Sequence, residues 1–187
     1  RISRRLPTLL ANPERASIIN DTRYQRLRRL LAGAKGRGAQ LEELNPASEN
    51  LSGTRKLPTT LVLGVTEEME LLHQEIFGPI LPVLPYDTLD EAINYINDRP
   101  RPLALYLFSY DSARKRHVLE HTHAGIVALN DTMTQTGMDD IPFGGIGESG
   151  MGHYHGHEGF LTFSKAKGVV GVGRFNGGKM GYAPFGR

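Results

Sequence analysis

Apolar residues recur at helical spacing near the start of the chain. Asn20 or Asp21 supplies a helix start signal, and the glycines between residues 33 and 38 supply a stop. Four residues between these signals share one helical face: Tyr24, Leu27, Leu31 and Ala34. The pattern predicts an amphipathic helix, followed by a polar stretch to Lys56 that is typical of a loop with a short strand.

The middle of the chain alternates between runs typical of strands and runs typical of helices. Thr88-Leu89-Asp90-Glu91 is a capping box that opens one helix, and a second helix is predicted over Ser112–His121. The run at 103–108 is continuously apolar, which indicates a strand covered on both faces. Four strands are predicted: Thr59–Val65, Ile80–Tyr86, 103–108 and Gly125–Leu129. Their order predicts two βαβ crossovers, so the fold class is α/β with a mostly parallel sheet and crossover helices.

The last fifty residues differ in composition from the rest. Residues 137–160 are dense in glycine, residues 160–170 return to a strand-like composition, and seven of the last twenty residues are glycine. We predict a close-packed loop, a terminal strand over 161–170 and a flexible tail over 171–187.

Composition narrows the functional classes. With 187 residues, 39% apolar and 22% charged, the chain has globular proportions. It has no cysteine, which removes disulfides and any cysteine nucleophile and fits a reducing compartment, so we expect a cytoplasmic protein. No apolar run approaches the ~20 residues of a membrane span. The first residue is not Met and no signal peptide is recognisable, so we expect a piece of a longer protein.

The N-terminal region is basic, with ten of the 22 Lys and Arg in residues 1–37. Arg23, Arg26, Arg28 and Arg29 lie mostly off the apolar helical face, and no nucleic-acid motif accompanies them. We interpret these arginines as a solvated helix face and expect no nucleic acid partner.

Two motifs in the glycine-dense region point to weaker hypotheses. Gly145–Gly150 matches G-x-G-x-x-G but lacks a strand immediately before it and a helix immediately after it, so we reject a dinucleotide fold there. The alternating His153, His155 and His157 could face one way, but no further ligand completes a tetrahedral zinc site, so we predict no metal.

The segment Glu75-Ile76-Phe77-Gly78-Pro79 carries the most specific chemistry. A carboxylate beside an aromatic ring and a rigid Gly-Pro turn can accept two ribose hydroxyls while the ring flanks a flat heterocycle. By chemistry alone, an acidic residue on a loop pinned by Ile76 and Phe77 explains the segment at least as well.

Several separated motifs resemble the aldehyde dehydrogenase superfamily in order and spacing. They are Glu75–Pro79, Pro102–Ser109, Gly125–Asp131 and Pro142–Gly156. The last motif, followed by Phe160-Leu161-Thr162-Phe163-Ser164, is most similar to the class 3 and coniferyl aldehyde dehydrogenase branch.

The resemblance implies oxidation of an aldehyde to a carboxylic acid with NAD or NADP, through a thiohemiacetal on a cysteine. The family's nucleophile, base, oxyanion asparagine and nucleotide-binding domain precede the matching segment, and this chain has no cysteine. It therefore resembles the C-terminal part of such an enzyme, with residues 1–160 as catalytic-domain portion. The segment alone is expected to be inactive, with the remainder of the parent enzyme as its partner.

The resemblance also implies roles for individual residues. Glu75 would bind the nicotinamide ribose and Phe77 would contact the nicotinamide side of the cofactor. Phe143 would line the aldehyde tunnel, with His155 near that pocket. Residues 162–170 would form the family's oligomerisation strand and support a homodimer.

Alternatives to an aromatic aldehyde dehydrogenase stay open. A long-chain aliphatic aldehyde is equally compatible with one aromatic residue in a tunnel, and a non-catalytic remnant that pairs with other subunits is a second possibility. An RNA-binding module would rest on residues 1–37 only. The choice between NAD and NADP is open because no loop that reads the adenosine ribose is recognisable.

Overall fold

The computed structural model describes residues 7–185, apart from the side chains of residues 179 and 180. The chain divides into two compact units, the first ending at Asp87 and the second beginning at Thr88. The helices and strands in chain order are α1 (Asp21–Gly36), β1 (Gln40–Leu44), β2 (Thr59–Leu63), β3 (Ile80–Val83), α2 (Leu89–Asn97), β4 (Ala104–Leu107), α3 (Ser112–His121), β5 (Ile126–Leu129) and α4 (Gly156–Thr162).

Helix α1 forms where its start and stop signals predict it. The Asn20 side chain accepts a hydrogen bond from the Arg23 backbone N–H at 2.9 Å, which satisfies one of the free donors of the first turn. At the other end, the N–H of Arg37 donates to the Ala34 carbonyl. The buried face comprises Leu27, Leu30, Leu31 and Ala34, with Tyr24 partly buried beside it.

The first unit contains a three-stranded mixed sheet in the order β1-β2-β3. Strand β1 runs antiparallel to β2, whereas β2 and β3 are parallel, with Thr60 opposite Ile80. Val62 and Ile80 point into the core that the buried face of α1 also forms. The sheet therefore fixes the start of β3, the strand that directly follows the Glu75–Pro79 segment.

The second unit contains a parallel pair, β4 and β5, joined by α3. Its core is Ile93 of α2, Leu105 of β4 and Val118 of α3.

Helices α2 and α3 of the second unit are capped by side chains. The Thr88 hydroxyl accepts from the Glu91 N–H at 3.3 Å, so the predicted cap of α2 is present. Asp111 caps α3, and the backbone N–H groups of Arg114 and Ala113 hold the pKa of its carboxyl below the usual range.

The structure tests two details of the predicted sheet. The predicted βαβ crossover β4-α3-β5 lies within the second unit and is confirmed, since β4 and β5 are parallel. The expectation that residues 103–108 are covered on both faces fails within the described residues. Leu105 is buried against the two helices, but the Phe108 side chain is 65% exposed and Tyr106 is exposed as well. Side chains alternate across a strand, and α2 and α3 contribute core residues to one face only.

The start of the predicted strand over 161–170 is also wrong. Leu161 and Thr162 end helix α4, and the Thr162 hydroxyl donates to the carbonyls of His153 and Glu158 at 2.8 and 2.9 Å. Residues 163–170 form no strand within this chain, which is consistent with a segment that has no neighbouring strand to pair with. The described part of the tail after residue 170 is extended or bent, apart from a short 3₁₀ turn at Gly177–Gly181. Within the described residues, no helix combines the length and hydrophobicity that a membrane span requires.

Candidate functional site

The Glu75–Pro79 loop is packed tightly onto α1. A Cβ atom added to Gly78 would lie 2.6 Å from Cδ1 of Leu27, a fully buried side chain, so only glycine allows this approach. The Pro79 carbonyl accepts from the Thr60 N–H at 2.9 Å, which ties the loop to β2. Between these anchors, Phe77 adopts a left-handed backbone with φ of 47°. Such a conformation costs a non-glycine residue about 1 kcal/mol or more and persists where the surroundings impose it.

Arg26 of α1 binds the same loop through its guanidinium group. Nη1 donates to the Glu75 carbonyl at 3.0 Å and Nη2 donates to the Ile76 carbonyl at 2.5 Å. The interpretation of Arg26 as part of a solvated face is therefore wrong, because its side chain turns towards this loop and is half-buried. Arg23, Arg28 and Arg29 are exposed as expected.

Glu75 and Phe77 line one open cavity of about 860 Å³. The Phe77 side chain is 85% exposed. The Glu75 carboxylate makes no hydrogen bond or ion pair within the described part of the chain, so both of its oxygens are free to accept. The remaining wall is formed by Ser17, Ile18, Ile19, Asn20, Arg23, Arg26 and Gln74. A free carboxylate beside an exposed aromatic ring fits a ribose joined to a flat heterocycle.

Phe143 and His155 lie in the second unit and share a small aromatic cluster. Phe143 and Tyr154 form an antiparallel bridge, each N–H donating to the other's carbonyl at 2.9 Å. Their rings meet edge to face with centroids 5.6 Å apart, and the His155 ring lies 4.4 Å from Tyr154 and 5.8 Å from Phe143. Sequence analysis did not select Tyr154, although the motif Pro142–Gly156 contains it.

His155 combines an unusual backbone with an unsatisfied ring atom. Its φ of 74° and ψ of 151° lie near a region that glycine almost alone occupies. Its Nδ1 is buried and has no hydrogen-bond partner among the described residues. Five non-glycine residues among the described ones have a positive φ. Two of them, Phe77 and His155, are site residues selected from the sequence.

The loop that carries Phe143 is packed through its glycines. A Cβ on Gly144 would lie 2.2 Å from the Gly152 carbonyl oxygen, and a Cβ on Gly125 would lie 2.2 Å from the Gly144 carbonyl oxygen. Residues 147–149 form a 3₁₀ turn, so the G-x-G-x-x-G match does not open a helix and is a close-packed backbone loop, as predicted.

The three alternating histidines do not converge. His153 contacts the Glu158 carboxylate at 3.2 Å, whereas His155 packs against the Tyr154 ring and His157 lies within α4. The segment turns into a helix at Gly156, so the extended geometry that would align the three side chains is absent. Within residues 7–185, no group of three or more His, Cys, Asp or Glu could hold a metal ion.

The loop after β5 is held by polar contacts that sequence analysis missed. The Asn130 side chain both accepts from the Ser109 N–H at 2.8 Å and donates to the Ser109 carbonyl at 2.9 Å, which joins the ends of the two parallel strands. Gln135 is only 4% exposed and its Nε2 donates to the Tyr106 hydroxyl at 3.0 Å. An Asn directly after a buried strand signals a left-handed turn, and Asn130 has φ of 58°.

Comparisons with known proteins identify the family of the chain. The Aldehyde dehydrogenase family model matches residues 9–169. A probable coniferyl aldehyde dehydrogenase of Pseudomonas aeruginosa is 53% identical over 97% of this chain and 37% of its own length. The coniferyl aldehyde dehydrogenase of a Pseudomonas species is 49% identical over 88% of this chain and 34% of its own length.

A solved structure supports the same relationship. The NAD-dependent aldehyde dehydrogenase of Sinorhizobium meliloti superposes with a TM-score of 0.76 at 27% identity, over 87% of this chain and 32% of that one. The chain thus spans about a third of the length of the relatives it matches. The motifs, the fold and these comparisons confirm the resemblance: the chain belongs to the aldehyde dehydrogenase family.

Proposed function

We propose that the protein carrying this chain is an NAD(P)-dependent aldehyde dehydrogenase that oxidises an aromatic, coniferyl-type aldehyde to the carboxylic acid. The observation that carries the proposal is the 53% identity, over nearly the whole chain, to a probable coniferyl aldehyde dehydrogenase. The chain contains no cysteine, so the nucleophile that the family uses lies outside it. This chain contributes binding residues rather than the nucleophile.

Glu75 and Phe77 are proposed to hold the nicotinamide end of NAD or NADP. The Glu75 carboxylate accepts hydrogen bonds from the two ribose hydroxyls, which suits its free oxygens at the cavity wall. The Phe77 ring would contact the nicotinamide side of the cofactor. When bound, NAD or NADP accepts the hydride that leaves the substrate carbon. The proposal covers NAD and NADP alike, because no loop that reads the adenosine ribose is recognisable in the sequence.

Phe143 is proposed to line the aldehyde pocket, with His155 beside it. Phe143 is held in place by its bridge to Tyr154, so the ring is presented by a fixed backbone. The contact between the Phe143 and His155 rings makes His155 part of the same wall. A flat aromatic wall favours a flat aromatic substrate through offset or edge-to-face stacking.

Replacing Phe143 by Ala is expected to raise KM for coniferyl aldehyde by about tenfold, since an aromatic contact contributes about 0.5–1.5 kcal/mol beyond its area. KM for a long-chain aliphatic aldehyde should change less. Steady-state kinetics with both aldehydes on the full gene product test this. A wild-type preference for the aliphatic aldehyde, or equal losses for both, would favour the aliphatic dehydrogenase instead.

We also propose that residues 162–170 support a homodimer by pairing with a strand of the neighbouring subunit. Three apolar side chains of this segment, Phe163, Val169 and Val170, are 83% exposed or more, so the described part of the chain does not cover them. Deleting residues 163–170 and the tail is expected to convert dimers of the full gene product into monomers in light scattering. A truncated protein that remains dimeric would refute this role. A cytoplasmic location remains a prediction.

A further inference from the structure

We propose that Arg26 is a positioning residue that holds the Glu75–Phe77 loop in its cofactor-binding conformation. The proposal rests on the function proposed above, because it assumes that this loop binds the nicotinamide ribose. Arg26 acts through the backbone of the loop and not by touching the substrate.

The guanidinium fork of Arg26 binds two consecutive carbonyls. Nη1 contacts the Glu75 oxygen at 3.0 Å and Nη2 contacts the Ile76 oxygen at 2.5 Å, while a third contact, to Gln74 Oε1, is long at 3.4 Å. In an extended strand, neighbouring carbonyls point in opposite directions. Two carbonyls held by one rigid planar group therefore impose a turn at this point, and a lysine ammonium on its flexible stem does not present the same fork.

The turn is followed by the strained residue of the loop. Phe77 adopts its left-handed φ of 47° directly after Ile76, whose carbonyl Arg26 holds. One residue further, Gly78 packs against Leu27, the neighbour of Arg26 on α1. Helix α1 thus supports the loop through two successive residues, and the Arg26 hydrogen bonds offset the conformational cost at Phe77.

The same contacts leave the Glu75 carboxylate available. Arg26 binds the main-chain oxygen of Glu75, and no salt bridge joins the two side chains within the described part of the chain. The carboxylate therefore keeps its accepting capacity for hydroxyl groups at the cavity wall. Arg26 Nε is buried and has no hydrogen-bond partner among the described residues, so part of this cation's desolvation is uncompensated.

The test compares Arg26→Met with Arg29→Met in the full gene product. Arg29 lies on the same helix, is exposed, and among the described residues makes only a 3.7 Å ion pair with Glu70, so it is a matched control of low expected effect. Isothermal titration calorimetry with NAD and with NADP gives Kd. Arg26→Met is expected to raise Kd by about tenfold, Arg26→Lys by an intermediate factor, and Arg29→Met by less than about twofold.

A double-mutant cycle with Glu75→Gln separates positioning from a general loss of stability. If Arg26 acts through the loop, Arg26→Met combined with Glu75→Gln should weaken binding by less than the product of the single effects. Folded Arg26→Met or Arg26→Lys with wild-type Kd, or a lowered Tm with unchanged Kd, would overturn the proposal. If Glu75→Gln leaves Kd unchanged, the proposal that this loop binds the cofactor fails. If Glu75→Gln raises Kd and the Arg26 variants do not, only the positioning role of Arg26 fails.

Discussion

Gly144→Ala is expected to destabilise the protein by about 3 kcal/mol, at the upper end of the usual cost of overpacking. The new Cβ would lie 2.2 Å from the Gly152 carbonyl oxygen and 2.8 Å from the His153 Cα. These are backbone atoms of a loop that is itself closely packed, so they cannot move aside as the end of a flexible side chain can. The substitution should also displace Phe143, the preceding residue.

Gly137→Ala is the matched control for Gly144→Ala. Gly137 precedes the same loop, and a Cβ placed there meets nothing within 4 Å. Thermal unfolding of the full gene product should show a Tm lowered by several degrees for Gly144→Ala and nearly unchanged for Gly137→Ala. Equal Tm values for the two variants would show that the glycine loop is not close-packed in the full protein.

Glu75→Gln is expected to weaken NAD or NADP binding by roughly 1.5 to 3 kcal/mol, the usual worth of hydrogen bonds to a charged group. The amide keeps the size of the side chain but loses the charge and one of two accepting oxygens. Because the carboxylate has no partner among the described residues, the substitution should leave Tm almost unchanged.

Glu43→Gln is a suitable control for Glu75→Gln. Glu43 is an exposed carboxylate on β1 of the same unit, and it does not line the cavity beside Glu75. Calorimetric titration with NAD and NADP should give wild-type affinity for Glu43→Gln only. Wild-type affinity and turnover for Glu75→Gln would contradict its role at the ribose.

Local signals predicted most of the elements. Helix α3 spans Ser112–His121 as its pattern indicated. Asp111 caps its start, and the residue after His121, Thr122, has an extended backbone that ends the helix. The Thr88 capping box likewise marks the start of α2. Which strands share a sheet was harder to predict from the sequence, because strand pairing depends on contacts between residues that are distant in the chain. The apolar run at 103–108 correctly predicted a strand but wrongly predicted that both of its faces are buried.

The candidate site was predicted only in part. The motifs selected Glu75, Phe77, Phe143 and His155, and the structure places the first two at one cavity and the last two in one aromatic cluster. Sequence analysis missed Arg26 because four arginines in seven residues share a similar helical context, and only the fold shows which one meets two free carbonyls. The positive φ of Phe77 and His155 was also inaccessible, because a Phe gives no local signal for it and a His only a weak one, unlike Gly or Asn.

The most direct test of the proposed function is aldehyde-dependent reduction of NAD and NADP. The full gene product and this 187-residue chain should both be assayed, each with coniferyl and with long-chain aliphatic aldehyde. We predict activity in the full product, with coniferyl aldehyde preferred, and none in the chain alone, since it has no cysteine. Activity in neither protein would contradict the dehydrogenase proposal and favour a non-catalytic subunit, and activity in the chain alone would contradict the assignment of the nucleophile to a residue outside it.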